Sequence, residues 1–582
     1  MHEFSVWAPF ASKMRVQIGD GTHAMNASSR GWWHVAVDVP TGTDYLFLID
    51  SDPTPYPDPR GLRQTGGVHG PSRLYDQKAY VWHDAQWQGP PLTGGVVYEI
   101  HVGTFTPGGT FDSAIERLPY LADLGITHVE LMPIAEFPGA FGWGYDGVAL
   151  FAVTENYGGP DALKRFVDAC HQHRLAVILD VVYNHFGPVG NYTNKFGPYL
   201  TSNHRTPWGD AVNFEEGGSD EVRRFFCDNA LMWMRDFHID GLRLDAVHEY
   251  MDRSAIHFME QLSSEVDILS STLARRLILI AESDLNDPRL VTPREAGGYG
   301  MDAQWSDDFH HALFSLLHKG QEGMGYYDDF GSMEDLAKSL KEVFVYDGIY
   351  SKYRRRKHGR PVHRLSAHHF LGFIQNHDQI GNRATGDRLE HIIGIPRSKV
   401  AAAVVMLAPF IPMLFQGEEY AADTPFQYFA DHEDPDMARA VSEGRKRDFA
   451  AFGWNPDEIP DPEKRETFER SKLNWYELSD AKHAEMLDWT RKLIHLRRCS
   501  PSLNDGELSH IKVRYDEGKR WLVMTRGDVR LICNLGTEVH RCPNPDNLPI
   551  VLKSSDEVTV TEIEVIVPPD TVAILSNEPT WL

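Results

Sequence analysis

The sequence predicts an α/β fold, a (β/α)8 TIM barrel with an N-terminal β-sandwich and a small C-terminal β domain. From Val96 onward, short apolar runs alternate with amphipathic helical stretches, the pattern of parallel strands joined by crossover helices. On either side of that region apolar residues recur with period two. At 582 residues the chain has room for about three to four domains, and barrels run large.

Tyr45, Phe47 and Ile49 alternate with Asp44, Leu46, Leu48 and Asp50, and no amphipathic helix interrupts this part of the chain. Residues 1–90 therefore read as an immunoglobulin-like, carbohydrate-binding-like β-sandwich. It is either a packing module or a sugar-binding one, and Trp32 and Trp33 suit stacking if exposed. The Gly- and Pro-rich stretch Gln86 to Gly95 makes a linker.

The barrel is expected over residues 91–502. Its strands are read at Val96 to Ile100, His128 to Met132, Ala176 to Val182, Leu242 to Val247, Leu277 to Ala281, Phe370 to Ile374 and Pro412 to Phe415, with a weaker one at Met301 to Trp305. A helix is expected from Asp220 to Phe237, where Val222, Phe225, Phe226, Ala230, Trp233, Met234 and Phe237 share a face and Ser219 can cap. Another starts at Pro160 as first helical residue. A doubly wound open sheet is the alternative, but no G-x-G-x-x-G follows the first strand. Residues 187–218 read as a short insertion, the basic run Lys352 to Arg360 as a solvated loop, and residues 503–582 as a C-terminal β-sheet domain.

The net charge of -26, from 83 acidic against 57 basic residues, argues against nucleic acid and anionic membranes as partners. A neutral ligand fits better, and 14 Trp and 22 Tyr offer faces for sugar rings. Val400 to Phe415 is broken by Pro409 and Pro412 and reads as a buried helix leading into a strand, short of the roughly 20 residues of a membrane span. No basic segment leads into an apolar one at Met1 to Phe10, so no secretory signal is read. The cysteines are scattered, without C-x-x-C spacing; reduced thiols and a cytoplasmic location are expected, with a Cys533–Cys542 bridge disfavoured.

In such a barrel the active site lies at the C-terminal ends of the strands. The third strand ends Asp180-Val181-Val182-Tyr183-Asn184-His185, the fourth contains Arg243-Leu244-Asp245, the fifth ends Ala281-Glu282, and the seventh ends Asn376-His377-Asp378. One carboxylate at a strand end is usually structural, paired with an arginine or capping a turn. Four at the ends of four strands point to chemistry, and glycoside hydrolysis needs two.

These four motifs, in this order and at these intervals, resemble the signature regions of the alpha-amylase family of glycoside hydrolases. The resemblance implies Asp245 as nucleophile, Glu282 as general acid/base and Asp378 as the transition-state carboxylate that grips glucose hydroxyls. It implies substrate contacts for His185, His377, Tyr145 and Asp146, and Arg243 as the charge that keeps Asp245 ionised. The mechanism implied is retaining, with carboxyl groups about 5–5.5 Å apart. Glu282 must then hold a proton near neutrality, and Asp245 and Asp378 are expected to raise its pKa.

Further segments, among them Tyr98 to Phe105, Thr206 to Phe214, Asp302 to Trp305 and Phe429 to Asp434, look like the maltooligosyltrehalose trehalohydrolases. That resemblance implies cleavage of the α-1,4 bond next to a terminal trehalose, with a glycogen branching enzyme or other α-1,4-glucan-acting relative as the alternative. His248, Asp307 and Asp308 are the leaving-group candidates, with His310 and His311 behind them; the plain reading of Asp307 and Asp308 is an acidic helix start. Asn184 matches a calcium-ligand position of the family, but its partner ligands are not evident, so no metal and no cofactor are expected. A maltooligosyltrehalose-forming enzyme is the implied functional partner.

Overall fold

The computed structural model describes residues 1–318, 325–450, 454–561 and 563–578. Eight parallel strands close a barrel: β1 (Val97–Ile100), β2 (His128–Leu131), β3 (Ala176–Val181), β4 (Gly241–Leu244), β5 (Ile278–Ala281), β6 (Ala303–Trp305), β7 (Phe370–Gly372) and β8 (Ile411–Phe415). Neighbours in the ring are consecutive in sequence, and β8 pairs with β1 through Met413–Val97 to Phe415–Glu99. The weak stretch near Met301 is thus a true strand, and it completes the ring.

Successive side chains of a strand point to opposite faces, so every second residue enters the barrel. Val97, Ile178, Ile278, Ile280, Ala303, Trp305, Leu371, Phe373, Ile411 and Met413 form one buried apolar cluster, the barrel's interior. Two residues further along, toward the C-terminal ends, the inward positions of β1 to β4 turn charged: Glu99, Glu130, Asp180 and Arg243. Register sets them side by side, Glu99 opposite Glu130 and Asp180 opposite Arg243. A charged layer therefore lies on an apolar floor.

The helix before β4 spans Ser219–Asp236 and buries Val222, Phe225, Phe226, Ala230, Trp233 and Met234 against the barrel. Ser219 does not cap it. Gly218, at φ 86°, is the cap, which makes Ser219 the first helical residue, and no side chain caps this end. Pro160 stands second in the helix Gly159–Gln172, where its missing N–H is still one that the helix would leave unpaired. The run Val400 to Phe415 is the end of the buried helix Leu389–Leu407 followed by β8.

At the N-terminus lie a three-stranded and a four-stranded antiparallel sheet, made from strands between His2 and Arg73. Trp32 donates its indole N–H to Glu221 Oε2 of the barrel at 3.1 Å, and Trp33 donates to the Ala8 carbonyl at 3.1 Å. Both rings are only partly exposed, so packing claims much of the surface that sugar stacking would need. Beyond the barrel, strands between Ile511 and Ser576 form a five-stranded and a three-stranded sheet. All five cysteines are free thiols.

One expectation fails outright. The basic run Lys352 to Arg360 is not a plain loop: Asp347–Ser351 and Arg356–Gly359 pair as a hairpin. Asp329 ties the hairpin down by accepting from Tyr346 Oη and Ser351 Oγ at 2.7 Å each, and Arg354 reaches Asp284 beyond β5 at 3.0 Å.

Candidate active site

The chain leaves β4 at Leu244, so Asp245 is the first residue on the barrel rim, and Ala246 turns sharply at φ 40°. Asp245 is 9% exposed. Its Oδ1 accepts from Arg243 Nη1 at 2.7 Å and its Oδ2 from Asn184 Nδ2 at 3.0 Å. Arg243 is fully buried; the same Nη1 lies 3.0 and 2.8 Å from the two oxygens of Asp180, and the guanidinium carbon sits 4.3 Å over the Trp305 ring. Asn184, which matches a calcium-ligand position of the family, fixes the Asp245 carboxylate here. Among the described residues no group of three or more His, Cys, Asp or Glu is arranged to hold a metal ion.

Glu282 follows β5 directly. Its Oε2 accepts from the Ala246 N–H at 2.6 Å and lies 3.6 Å from Arg243 Nη2. One guanidinium thus touches Asp245 and Glu282 with two different nitrogens, which keeps the two carboxyl groups close together. Burial raises the Glu282 pKa first; Arg243 and His248 pull it down, and Asp245 and Asp378 push it up. The two neighbours named from the sequence act in the expected direction, but burial leads.

Asp378 sits in the first turn of a short helix, His377–Gly381, capped by Asn376 Oδ1 accepting from the Gln379 N–H at 2.8 Å. Its side chain is 44% exposed, and Oδ1 lies 3.6 Å from His377 Nε2. His377 is buried. Glu99 takes its Nδ1 at 2.5 Å and its backbone N–H at 3.0 Å, while Nε2 meets the Tyr145 hydroxyl at 2.7 Å. Tyr145 in turn donates to Asp180 Oδ2 at 2.6 Å. Burial raises the Asp180 carboxyl to about 7 and Arg243 pulls it down; with a guanidinium nitrogen on both oxygens, it is the carboxylate that accepts from Tyr145. The turn that carries Tyr145 and Asp146 needs Gly144, at φ 98°, because a Cβ there would lie 2.3 Å from the Pro133 carbonyl oxygen.

His185 Nδ1 lies 3.1 Å from Asn184 Oδ1, and its ring stacks on Trp208 at 4.7 Å and 7°. Trp208 is half exposed on the turn of the hairpin Leu200–Thr206 and Gly209–Val212, within the short insertion. Asp146, raised by burial against the pull of His432 and His185, lies beside this pair. His248 stands on the turn after Asp245 with a buried Nδ1 that has no partner among the described residues.

Asp307 and Asp308 open the helix Asp307–Leu317 as acidic first-turn residues. They part company there. Burial, then Glu282, Asp284 and Asp378, raise the Asp307 pKa well above the usual range, so it belongs to the carboxylate cluster. Asp308 instead accepts from the backbone N–H groups of Val345 and Tyr346, at 2.7 Å each, which makes it a loop anchor and not a ligand group. His310 is buried and stacked on Phe314 and Phe373. His311 stacks on Phe330.

Four side chains in this network went unassigned from sequence: Glu99, Glu130, Trp305 and Trp208. A visible signal existed for the first two, a glutamate in the middle of an apolar strand, but only the barrel register reveals that both strands aim them at the same place.

The alpha amylase catalytic-domain family matches residues 70–206, and a domain of unknown function (DUF3459) matches residues 506–574. The chain is 47% identical over 577 residues to the malto-oligosyltrehalose trehalohydrolase of Mycobacterium tuberculosis, covering 97% of this chain and 99% of that one. It is 29% identical to the 1,4-alpha-glucan branching enzyme of Geobacillus stearothermophilus, over 56% of each. A crystal structure of a Salmonella typhimurium protein assigned to the alpha amylases superposes with a TM-score of 0.90 at 36% identity, covering 99% of this chain and 97% of that one.

Proposed function

This chain belongs to the malto-oligosyltrehalose trehalohydrolases, glycoside hydrolases of the alpha-amylase family, and from that premise we propose which residues carry the reaction. Asp245 attacks the anomeric carbon of the glucose next to the terminal trehalose while Glu282 gives its proton to the departing oxygen. Trehalose leaves. Glu282, now ionised, takes a proton from water, which opens the glucosyl ester and frees the shortened maltooligosaccharide with its anomeric configuration retained. The observation that carries this reading is the shared guanidinium: Arg243 pairs with Asp245 at 2.7 Å and stands 3.6 Å from Glu282, whose buried carboxyl is raised toward the protonated form the first step needs.

Asp378, His185, His377, Tyr145 and Asp146 hold the glucose at the reacting centre. Trp208, stacked on His185, offers an aromatic face beside it. His248, partly exposed on the turn after Asp245, and Asp307 face the leaving trehalose. A separate enzyme that builds the trehalose end of a maltooligosaccharide supplies the substrate, in the cytoplasm. Among the described residues no helix is long and apolar enough to cross a membrane.

The deciding test is product analysis with maltooligosyltrehalose and, separately, the plain maltooligosaccharide, using Asp245→Asn as blank. Rapid release of trehalose, with the plain oligosaccharide cut far more slowly, is the expected outcome. Equal cutting of both substrates defeats the trehalose preference, and formation of α-1,6 branches would reassign the chain to transfer.

A further inference from the structure

Beneath the catalytic carboxylates runs an unbroken line of hydrogen bonds whose direction can be worked out from the donors. The Tyr145 phenol has one proton, and burial keeps that proton in place by raising its pKa well above the ordinary value. It is given to Asp180 Oδ2 at 2.6 Å, because Asp180 also holds the Arg243 guanidinium and can only accept. The 2.7 Å contact between Tyr145 Oη and His377 Nε2 must then be donated by the histidine. At the other side of the ring, Glu99 accepts the His377 backbone N–H with one oxygen and faces Nδ1 at 2.5 Å with the other. A carboxylate there makes Nδ1 a donor too, and an imidazole with two N–H donors is a cation.

The second acid in this place explains why Glu99 is the ionised one. Glu130 is the register partner of Glu99, is fully buried, and has no hydrogen-bond partner on either oxygen among the described residues. Two carboxylates this close in a water-free layer do not both ionise, and the one without donors keeps the proton. The groups facing His377 are Glu99 from β1, Glu130 from β2, Asp180 from β3, Arg243 from β4, Tyr145, Asp378 beside it, and His101, with Trp143 and Trp305 against the ring. Burial alone would strip the ring of its charge; Glu99 and then Asp378 outweigh it and hold the pKa up at about 9.

We propose that Glu99 is a positioning residue of the reaction, which holds His377 as an imidazolium under the sugar-binding carboxylate Asp378, with a protonated Glu130 as its neutral neighbour. Nothing in the recognised motifs assigns a role to either glutamate; the inference rests on the proposed active-site reading. The cation lies 3.6 Å from Asp378 Oδ1 and orients that carboxylate for the glucose hydroxyls. It also compels Tyr145 to point its only proton at Asp180, which holds that carboxylate in place beside the Arg243 guanidinium that pairs with Asp245.

The test is the pH dependence of kcat on maltooligosyltrehalose for wild type, Glu99→Gln, Glu99→Asp and Glu130→Gln, with melting temperature as a control for folding. In Glu99→Gln the imidazole loses its counter-charge and is neutral at pH about 7, so kcat falls about 10²-fold there. The loss shrinks only as the pH falls well below the ordinary imidazole range, because burial holds the ring neutral until then. Glu99→Asp recovers part of the rate, and Glu130→Gln keeps the wild-type profile within about twofold because it replaces an acid that is already neutral. A Glu99→Gln enzyme depressed by one factor at every pH, or not depressed at all, overturns the proposal, as does a shifted profile for Glu130→Gln. If Glu99→Gln fails to fold, nitrogen NMR of histidine-labelled wild type decides: the resonances lost in His377→Asn must be those of an imidazolium at pH about 7.5, and neutral-ring shifts there defeat the idea. Asp245→Asn is run beside these variants. Should it remain active, the active-site reading itself has failed, an outcome distinct from any result at Glu99.

Discussion

The barrel carries a buried histidine between acids at each of its two ends, and the two are handled in opposite ways. At the N-terminal end, His171 Nδ1 meets Asp84 at 2.8 Å and Nε2 meets Asp240 at 2.9 Å. Both acids there have several donors: Asp240 also takes the Trp87 indole N–H at 2.8 Å, the Val177 backbone N–H at 2.9 Å and Arg275 at 3.0 Å, while Asp84 Oδ2 also takes His238 at 2.7 Å. Trp87 stacks on His171 and Trp82 on His238, at 4.4 and 3.7 Å. These contacts fasten the linker before β1 to the barrel. Burial pushes the Asp240 carboxyl up, but His171 and Arg275 outweigh it and bring it down to about 2.

At the C-terminal end the same residue types are left in want of partners. Glu130 has no donor on either oxygen, Glu282 and Asp307 are raised, and His248 carries an unused buried nitrogen. A saturated network lowers carboxylate pKa values and stabilises the fold; an unsaturated one raises them and stores reactivity for a substrate. The same chemistry serves stability or catalysis according to whether its hydrogen bonds are complete.

The comparison breaks most visibly if the top end is neutralised. Asp245→Asn and Glu282→Gln are each expected to lower kcat on maltooligosyltrehalose by about 10⁴-fold or more, with the melting temperature unchanged or higher, because the first removes charge from a crowded carboxylate cluster and the second replaces a buried acid by a neutral amide of the same shape. Steady-state kinetics with calorimetry on the same samples checks both halves of that statement.

Neutralising the bottom end should do the reverse. Asp240→Ala leaves Arg275 buried without a counter-charge and His171 with Asp84 as its remaining acid, and is expected to cost about 3–5 kcal/mol of stability, with kcat per folded molecule nearly unchanged. Denaturant unfolding and active-site titration separate the two.

The pH dependence of that difference sharpens it. Asp240 is depressed in the folded state, so its stabilisation is present above its unfolded pKa of about 3.9 and is lost as the pH falls toward about 2. His171 is raised, Asp240 and Asp84 outweighing its burial, so its share is present below about 6.5 and fades as the pH rises through its folded value. The gap in melting temperature between wild type and Asp240→Asn should therefore be widest between those limits and close in acid. A gap that stays constant down to pH about 2.5 would contradict the assignment.

The smallest expected effect lies at the rim. Trp208→Ala removes the face stacked on His185 and should raise KM about tenfold, the scale of one aromatic contact, with little change in kcat. Initial rates over a substrate series read this directly.

Much of this was legible along the chain. The strand runs and the four polar strand ends identify a barrel and its catalytic rim because strand periodicity and strand-end chemistry are local properties, visible within a few residues. Asp245, Glu282 and Asp378 stand at the ends where the motifs put them. Ser219 misled because serine is a good cap only when the residue before it does not already turn the chain, and Gly218 does. For Asp308 and Asn184 the sequence left the outcome open: each side chain had two places to go, and which one it takes depends on segments far away in sequence, Val345 and Tyr346 for the first and Asp245 for the second.

By itself, then, the sequence determined the order of strands, the apolar floor and the polar strand ends from which the reacting groups are proposed. Tertiary structure alone decided which charges share a wall of the barrel. Glu99 and Glu130 are ordinary buried anomalies until register makes them neighbours, and Asp84 and Asp240 are ordinary acids until the linker folds back onto His171. Electrostatic energy depends on distance and burial, which no linear spacing encodes, so the charge states that matter here exist only in the closed barrel.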